Sequence, residues 1–301
     1  MRILLSRLKQ VKPQRVYVAC DGPRELVSSD YSSCQLVRQL LSAESEGGSI
    51  DWDCVVQQRF LSDNHGCRRA VTEAIDWFFS NEEEGIILED DVLPDITFFS
   101  FCEELLEKFR YDLRIGSVVG NSMIANRASN DESYYFSSQT HVWGWASWAN
   151  VWKFNKPMLD DLESFIRDNW LEQIGGTLFQ DRWASLLEAV NAGKIDTWDM
   201  IWQYSFWSNN LLAATPYVQL VENIGFDSDA THTVSGSPPL RQVEPMLFPI
   251  VHPKVIRPNL FIDKQLFDRF YRPGLIDSML WRAKRISRLI YATLKSRRSG
   301  S

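Results

Sequence analysis

A chain of 301 residues with 45% hydrophobic and 24% charged side chains can bury a full core, which excludes a disordered or fibrous protein. The formal net charge of -7 is uneven: residues 275–301 carry seven Lys/Arg against Asp277, a balance of +6 that leaves -13 for the rest. An acidic body argues against nucleic acid as the partner.

The opening stretch, Met1-Arg-Ile-Leu-Leu-Ser-Arg-Leu-Lys, is too short and too charged for a secretory signal, and no run of about 18 apolar residues occurs, so no membrane-spanning segment is expected. Five cysteines (Cys20, Cys34, Cys54, Cys67, Cys102) are widely spaced and show no zinc-ligand spacing, which fits a reducing, cytoplasmic setting. Three apolar runs then end in polar residues: Val16 to Cys20 before Asp21-Gly-Pro-Arg, Cys54-Val-Val, and Gly85-Ile-Ile-Leu before Glu89-Asp90-Asp91. Each reads as a short, doubly buried strand of a parallel sheet. Between the last two, Cys67, Ala70, Val71, Ala74, Ile75 and Phe78 recur at helical spacing, and Phe98, Phe101, Cys102, Leu105, Leu106 and Phe109 repeat the pattern. Alternating strands and helices give a layered α/β domain whose ligands gather at strand carboxyl ends. Further strands are expected at Ile115 to Gly120, at Tyr134-Tyr-Phe-Ser and at Val218 to Glu222.

Nine of the twelve tryptophans fall between Val142 and Trp207. They read either as core or as a carbohydrate platform, in which aromatic faces pack on the apolar face of a sugar. Trp143 and Trp145 flank Gly144, which permits close approach, and with Trp198 they are the expected sugar pocket. Domain boundaries follow composition: residues 1–234 form the α/β domain, 235–274 a proline-rich strap, and 275–301 a basic amphipathic helix. That last helix suits an anionic membrane surface or packing on the protein itself.

Three consecutive carboxylates at a strand end repel one another unless a cation neutralises them. Hard oxygen ligands suit Mn²⁺ or Mg²⁺, which leave positions open for phosphate oxygens. If the strand simply continues, Glu89 and Asp91 share one face and Asp90 the other; if it turns, they do not. The other reading of such a trio is a solvated acidic turn.

Residues 84–99, Glu-Gly-Ile-Ile-Leu-Glu-Asp-Asp-Val-Leu-Pro-Asp-Ile-Thr-Phe-Phe, resemble the DxD region of bacterial GT-A sugar transferases and are similar to the N-acetylglucosaminyltransferase I type. Asp21-Gly-Pro-Arg, Asn64-His-Gly-Cys, Trp143-Gly-Trp-Ala-Ser-Trp, Thr197-Trp-Asp-Met-Ile-Trp and Asn223-Ile-Gly-Phe-Asp-Ser-Asp-Ala-Thr-His-Thr follow in the family's order, covering about residues 10 to 233. The resemblance implies a GT-A, Rossmann-like three-layer sandwich with a mixed, mostly parallel sheet. It also implies inverting transfer from a nucleotide-diphosphate sugar, UDP-sugar foremost, to a saccharide or lipid-linked saccharide. In that family pattern Asp91 ligates the metal, and Asp90 and Glu89 surround ribose and sugar. Asp21 accepts from the nucleotide base, Arg68 or Arg69 lies near the nucleotide, and His232 reaches the metal or a phosphate. Asp21-Gly22-Pro23 reads equally as a plain turn.

Inversion needs a base on the acceptor hydroxyl, and Asp199, between Trp198 and Trp202, matches the family's base; burial there would lift a carboxyl toward working pH. The competing reading makes Asp199 a helix cap, and Asp181, Asp196 and Glu222 are rivals for the role. Members of the family it resembles usually begin with one more strand, whereas this chain is expected to start inside the helix that resembles Leu4 to Gln10. Two other functions fit the same features: a sugar-phosphate nucleotidyltransferase, which would want a Gly-rich basic loop, and an inactive carbohydrate-binding scaffold. The expected location is cytoplasmic, on the inner face of the membrane if residues 275–295 bind it.

Overall fold

The structure, a computed structural model, describes residues 1–41, 49–124, 131–156, 159–225, 241–272 and 274. The chain divides into two units, Met1–Pro157 with Asp196–Asn259, and Met158–Ile195 with the chain from Leu260 onward. Residues 159–195, which the composition leaves inside the first domain, therefore fold apart from the acidic triplet.

The first unit opens with α1 (Arg2–Val11), β1 (Arg15–Cys20), α2 (Ser28–Leu41), β2 (Val55–Phe60) and α3 (Gly66–Phe79). It continues through β3 (Glu84–Ile87), β4 (Val92–Pro94), α4 (Ile96–Phe109), β5 (Ile115–Val119), β6 (Tyr134–Ser137), β7 (Trp145–Trp148) and α5 (Ala149–Trp152). The chain then enters the second unit for α6 (Leu162–Arg167), α7 (Trp170–Gly175) and α8 (Thr177–Asn191), and returns for α9 (Asp199–Ser208), β8 (Leu212–Pro216) and β9 (Val221–Asn223). It ends in the second unit with α10 (Leu260–Leu266) and a π-helical turn (Phe267–Tyr271).

The fold is mixed α/β. A five-stranded sheet has the order β3-β7-β5-β8-β6; β5 and β8 are parallel, whereas β7 opposes β3 and β5, and β6 opposes β8. Three strands thus run one way and two the other, and their carboxyl ends share the edge where β7 begins. A separate parallel ladder joins β1 to β2. Of the described residues, none lie in a helix long and apolar enough to cross a membrane.

The expectation of doubly buried strands fails for the first ladder. β2 has only exposed and half-buried positions, and β1 buries only Val16 and Val18. These two pack with Leu5, Leu40, Leu41 and Ile50 in a small core of their own. Full burial on both faces belongs instead to β5, β6 and β7. Helix α4 forms as its spacing predicts: Asp95 caps it by accepting from the Thr97 N–H at 2.9 Å, and Phe98, Phe101, Cys102, Leu105, Leu106 and Phe109 are buried. Burying each such large apolar side chain stabilises by about 2 kcal/mol relative to leaving it in water.

The tryptophans are the centre of this core. Trp145 of β7, Trp152 of α5, and Trp198 and Trp202 at the start of α9 lie with ring centroids 4.9 to 6.3 Å apart. Trp152 also donates to Asp76 of α3 at 2.7 Å. The cluster thereby fixes α9 against β7 and sets the position of Asp199. Residues 241–259 run as a strap whose Glu244 N–H donates to Gln219, Met246 N–H to Thr97 and Asn259 N–H to Phe136.

Candidate functional site

Strand β3 stops at Ile87, and the chain turns: the Val92 N–H donates to the Glu89 carbonyl at 3.2 Å. Of the two arrangements open to the triplet, the turn is therefore realised, and aspartates tolerate such backbone. It leaves Asp90 exposed with Glu89 and Asp91 half-buried. The turn is held by β4, which pairs antiparallel with β9, Val92 opposite Asn223. One residue further the Ile224 N–H donates to the Asp91 carbonyl at 2.8 Å. Gly225 then passes so close to Asp91 that a Cβ there would collide with its carboxylate. Gly144 has φ +64°, and a Cβ on it would stand 2.8 Å from Val221. The close approach at Gly144 is thus made by β9 and not by a sugar.

Burial, then the charges of Asp91, Asp199 and Asp90, push the Glu89 carboxyl up to about 7. Burial and Asp90 also raise Asp91, against a hydrogen bond from Asn223 that favours its charged form. Cys67, at the start of α3, is pushed up to about 11 by burial and then by Glu89, Asp196, Asp199 and Asp21. The thiol thus senses carboxylates from the ends of β1 and β3 and from the approach to α9. Among the described residues none of Glu89, Asp90, Asp91, Asp196 and Asp199 pairs with a Lys or Arg. No three His, Cys, Asp or Glu side chains among the described residues converge tightly enough to hold a metal by themselves. His232 and residues 275–295 lie outside the described residues.

Asp199 occupies the first turn of α9, where its Oδ1 accepts from the Thr197 hydroxyl and from the Met200 N–H, the latter at 2.9 Å. Trp198 is the residue at the helix cap, with Asp199 one position into the helix, and Asp199 lies close enough to Glu89 to raise it. Asp196 lies over Gly66, Glu222 is exposed on β9, and Asp181 belongs to α8 of the second unit.

Two assignments need correction. Asp21 does not offer a vacant acceptor: its Oδ1 accepts from the N–H groups of Gly22 at 2.8 Å and His65 at 2.9 Å, and its Oδ2 from Asn64 at 2.9 Å and Gly66 N–H at 3.2 Å. The Asp21 and Asn64-His-Gly motifs are two halves of one clamp, a carboxylate at the positive end of α3. Trp145 and Trp198 are 0% and 2% exposed, so neither can present a ring to a saccharide; Trp143 keeps a partly exposed surface. Arg69 lies on the exposed side of α3 and donates to Glu73 at 2.7 Å, and Arg68 is half-buried on the same helix. Asn223, which opens one of the motifs quoted from the sequence, becomes the polar neighbour of Asp91 through the β4–β9 pairing.

The raised Glu89 carboxyl makes a testable prediction. The native state holds a proton that the unfolded chain, at the ordinary glutamate value of 4.5, releases, so stability falls as pH rises from about 4.5 to about 7 and the loss is complete above that. Replacing Glu89 with glutamine is expected to stabilise the metal-free protein by on the order of 2 kcal/mol at about pH 8 and hardly at all at about pH 4. Urea unfolding in EDTA at both pH values reads this, and an equal gain at both refutes it.

No protein-family model matches the chain, and no curated protein matches it either.

Proposed function

We propose that the chain is an inverting glycosyltransferase of the GT-A type, moving a sugar from a nucleotide diphosphate, UDP foremost, to a hydroxyl of a saccharide or lipid-linked saccharide. One observation carries the proposal. At the carboxyl edge of an α/β sheet, where such folds bind ligands, the Glu89-Asp90-Asp91 turn and Asp199 bring carboxylates together, and among the described residues no Lys or Arg forms an ion pair with them. An arrangement of that kind is costly alone and becomes favourable around a divalent cation. The donor set fits Mn²⁺ or Mg²⁺, because such ions take one or two protein carboxylates and complete their shell with water and substrate phosphates, so three converging protein ligands are not required.

Asp91 would hold the ion, steadied by Asn223, with His232 a second ligand by family resemblance. The bound metal supplies charge neutralisation for a departing diphosphate. Glu89 and Asp90 would receive ribose and sugar hydroxyls. Asp199, its Oδ1 engaged by Thr197 and Met200, directs its carboxylate at the acceptor and takes the hydroxyl proton as the acceptor oxygen bonds to the anomeric carbon and the carbon–phosphate oxygen bond breaks with inversion. Trp143 would line the sugar pocket. Acceptors on the inner face of a membrane are compatible with the basic pattern of residues 275–295.

The test pairs donor binding with turnover. A panel of nucleotide sugars, with and without Mn²⁺, should raise the melting temperature only when both donor and ion are present. Asp199→Asn is expected to keep that shift and lose about 10²- to 10⁴-fold in transfer. Full turnover by Asp199→Asn overturns its role, and no metal-dependent shift with any donor favours a scaffold that retains the fold.

A further inference from the structure

A pocket of about 270 Å³ opens at the carboxyl end of the β1–β2 ladder, lined by Pro23, Tyr31, Cys34, Gln35, Arg38 and Ser62. Tyr31, Cys34, Gln35 and Arg38 share one stripe of α2, at spacings of three and four, while Pro23 and Ser62 follow the two strands. It shares no lining residue with the acidic turn.

Arg38 is the cation of this pocket. Its Nη2 donates to the Leu61 carbonyl, its guanidinium carbon lies 5.6 Å from the Phe60 ring centroid, and its Nε is buried with no acceptor. No carboxylate among the described residues forms an ion pair with it, and the acids nearby are engaged elsewhere. Asp30 pairs with Arg24 at 2.6 Å, Asp63 accepts from the Ser62 hydroxyl at 2.7 Å, and Asp21 is held in the α3 clamp. The last turn of α2 offers Arg38 the negative end of the helix dipole, a contribution of about 0.3–1 kcal/mol that still leaves Nε without an acceptor. A guanidinium drawn from water without a counter-ion favours an anion, and its planar fork matches phosphate and carboxylate oxygens.

We infer that this pocket binds a small anion, a phosphoryl or carboxylate group, through the Arg38 guanidinium, with Gln35 as a neighbouring donor. The volume falls below the usual range for a whole small-molecule ligand, so the pocket takes the charged group and leaves its carrier outside. The inference does not rest on the glycosyltransferase reading.

The experiment uses the full chain in EDTA, so that no cation can bridge an anion to the acidic turn, with inorganic phosphate or citrate as probe and chloride at matched ionic strength as control. Cys34 lines the pocket and reports occupancy: its alkylation, followed by mass mapping of its peptide, should slow about tenfold at ten times Kd. Stronger protection by phosphate assigns a phosphoryl group, and stronger protection by citrate a carboxylate. Arg38→Gln should abolish protection; should that variant misfold, Gln35→Glu, on an exposed position of α2, places a like charge in the pocket and should do the same. The proposal is overturned by no protection from either probe, by equal protection from chloride, or by protection that survives in folded variants.

Discussion

Alanine at position 91 should bring metal-dependent transfer down by about a thousandfold or more while the protein stays folded. The backbone of Asp91 is tied to Ile224 through its carbonyl, and the turn that carries it closes between Glu89 and Val92; neither bond uses the side chain. The variant also removes a half-buried, partly repelled carboxylate, so folding is not expected to suffer. What it loses is the oxygen set steadied by Asn223 beside the departing diphosphate. Titration calorimetry with Mn²⁺ and a nucleotide sugar, beside circular dichroism, separates loss of binding from loss of fold. Wild-type transfer by folded Asp91→Ala would remove the triplet from the mechanism.

Trp145→Ala should cost about 3–5 kcal/mol, the range for deleting a large aromatic ring from a packed core. Trp145 is fully buried on the strand between β3 and β5 and touches the rings of Trp152, Trp198 and Trp202. Trp198 precedes Asp199 directly, so the cavity also loosens the carboxylate assigned to the acceptor proton. Denaturant unfolding measures the first effect. A cost below about 1 kcal/mol, as for a surface ring, would contradict the core assignment.

The elements that sequence predicted best are those with a regular apolar spacing. Helix α4 and strand β3 lie where their apolar spacing put them. Strand β7 was hidden because tryptophan is amphipathic: Trp143-Gly-Trp-Ala-Ser-Trp has the composition of a carbohydrate surface and of a central strand alike. Strand β8, Leu-Ala-Ala-Thr-Pro, carries little β-branched character, and its pairing with β5 and β6 supplies what its propensity lacks. The strand expected at Val218 to Glu222 begins at Val221, because Leu220 and Asp95 bond before the ladder starts. At the site, the triplet, Asp199 and the Asn223-Ile-Gly motif were legible as residue types, whereas the contact of Asn223 and Gly225 with Asp91, and the clamp that occupies Asp21, arise between distant segments. Chemistry-bearing residues can be read locally; what already satisfies them cannot.

The division of the chain also bears on how it comes to be made. Helices α7 and α8 belong with α10 and the π-helical turn, Phe179 meeting Phe267 at 5.0 Å and Trp183 meeting Tyr271 at 5.1 Å. During synthesis the first two emerge while α9, β8 and β9 are still to come, and their aromatic faces wait until Leu260 and its successors leave the ribosome. The larger unit can therefore complete its sheet ahead of the smaller one, whose aromatic contacts wait for α10 and the π-helical turn.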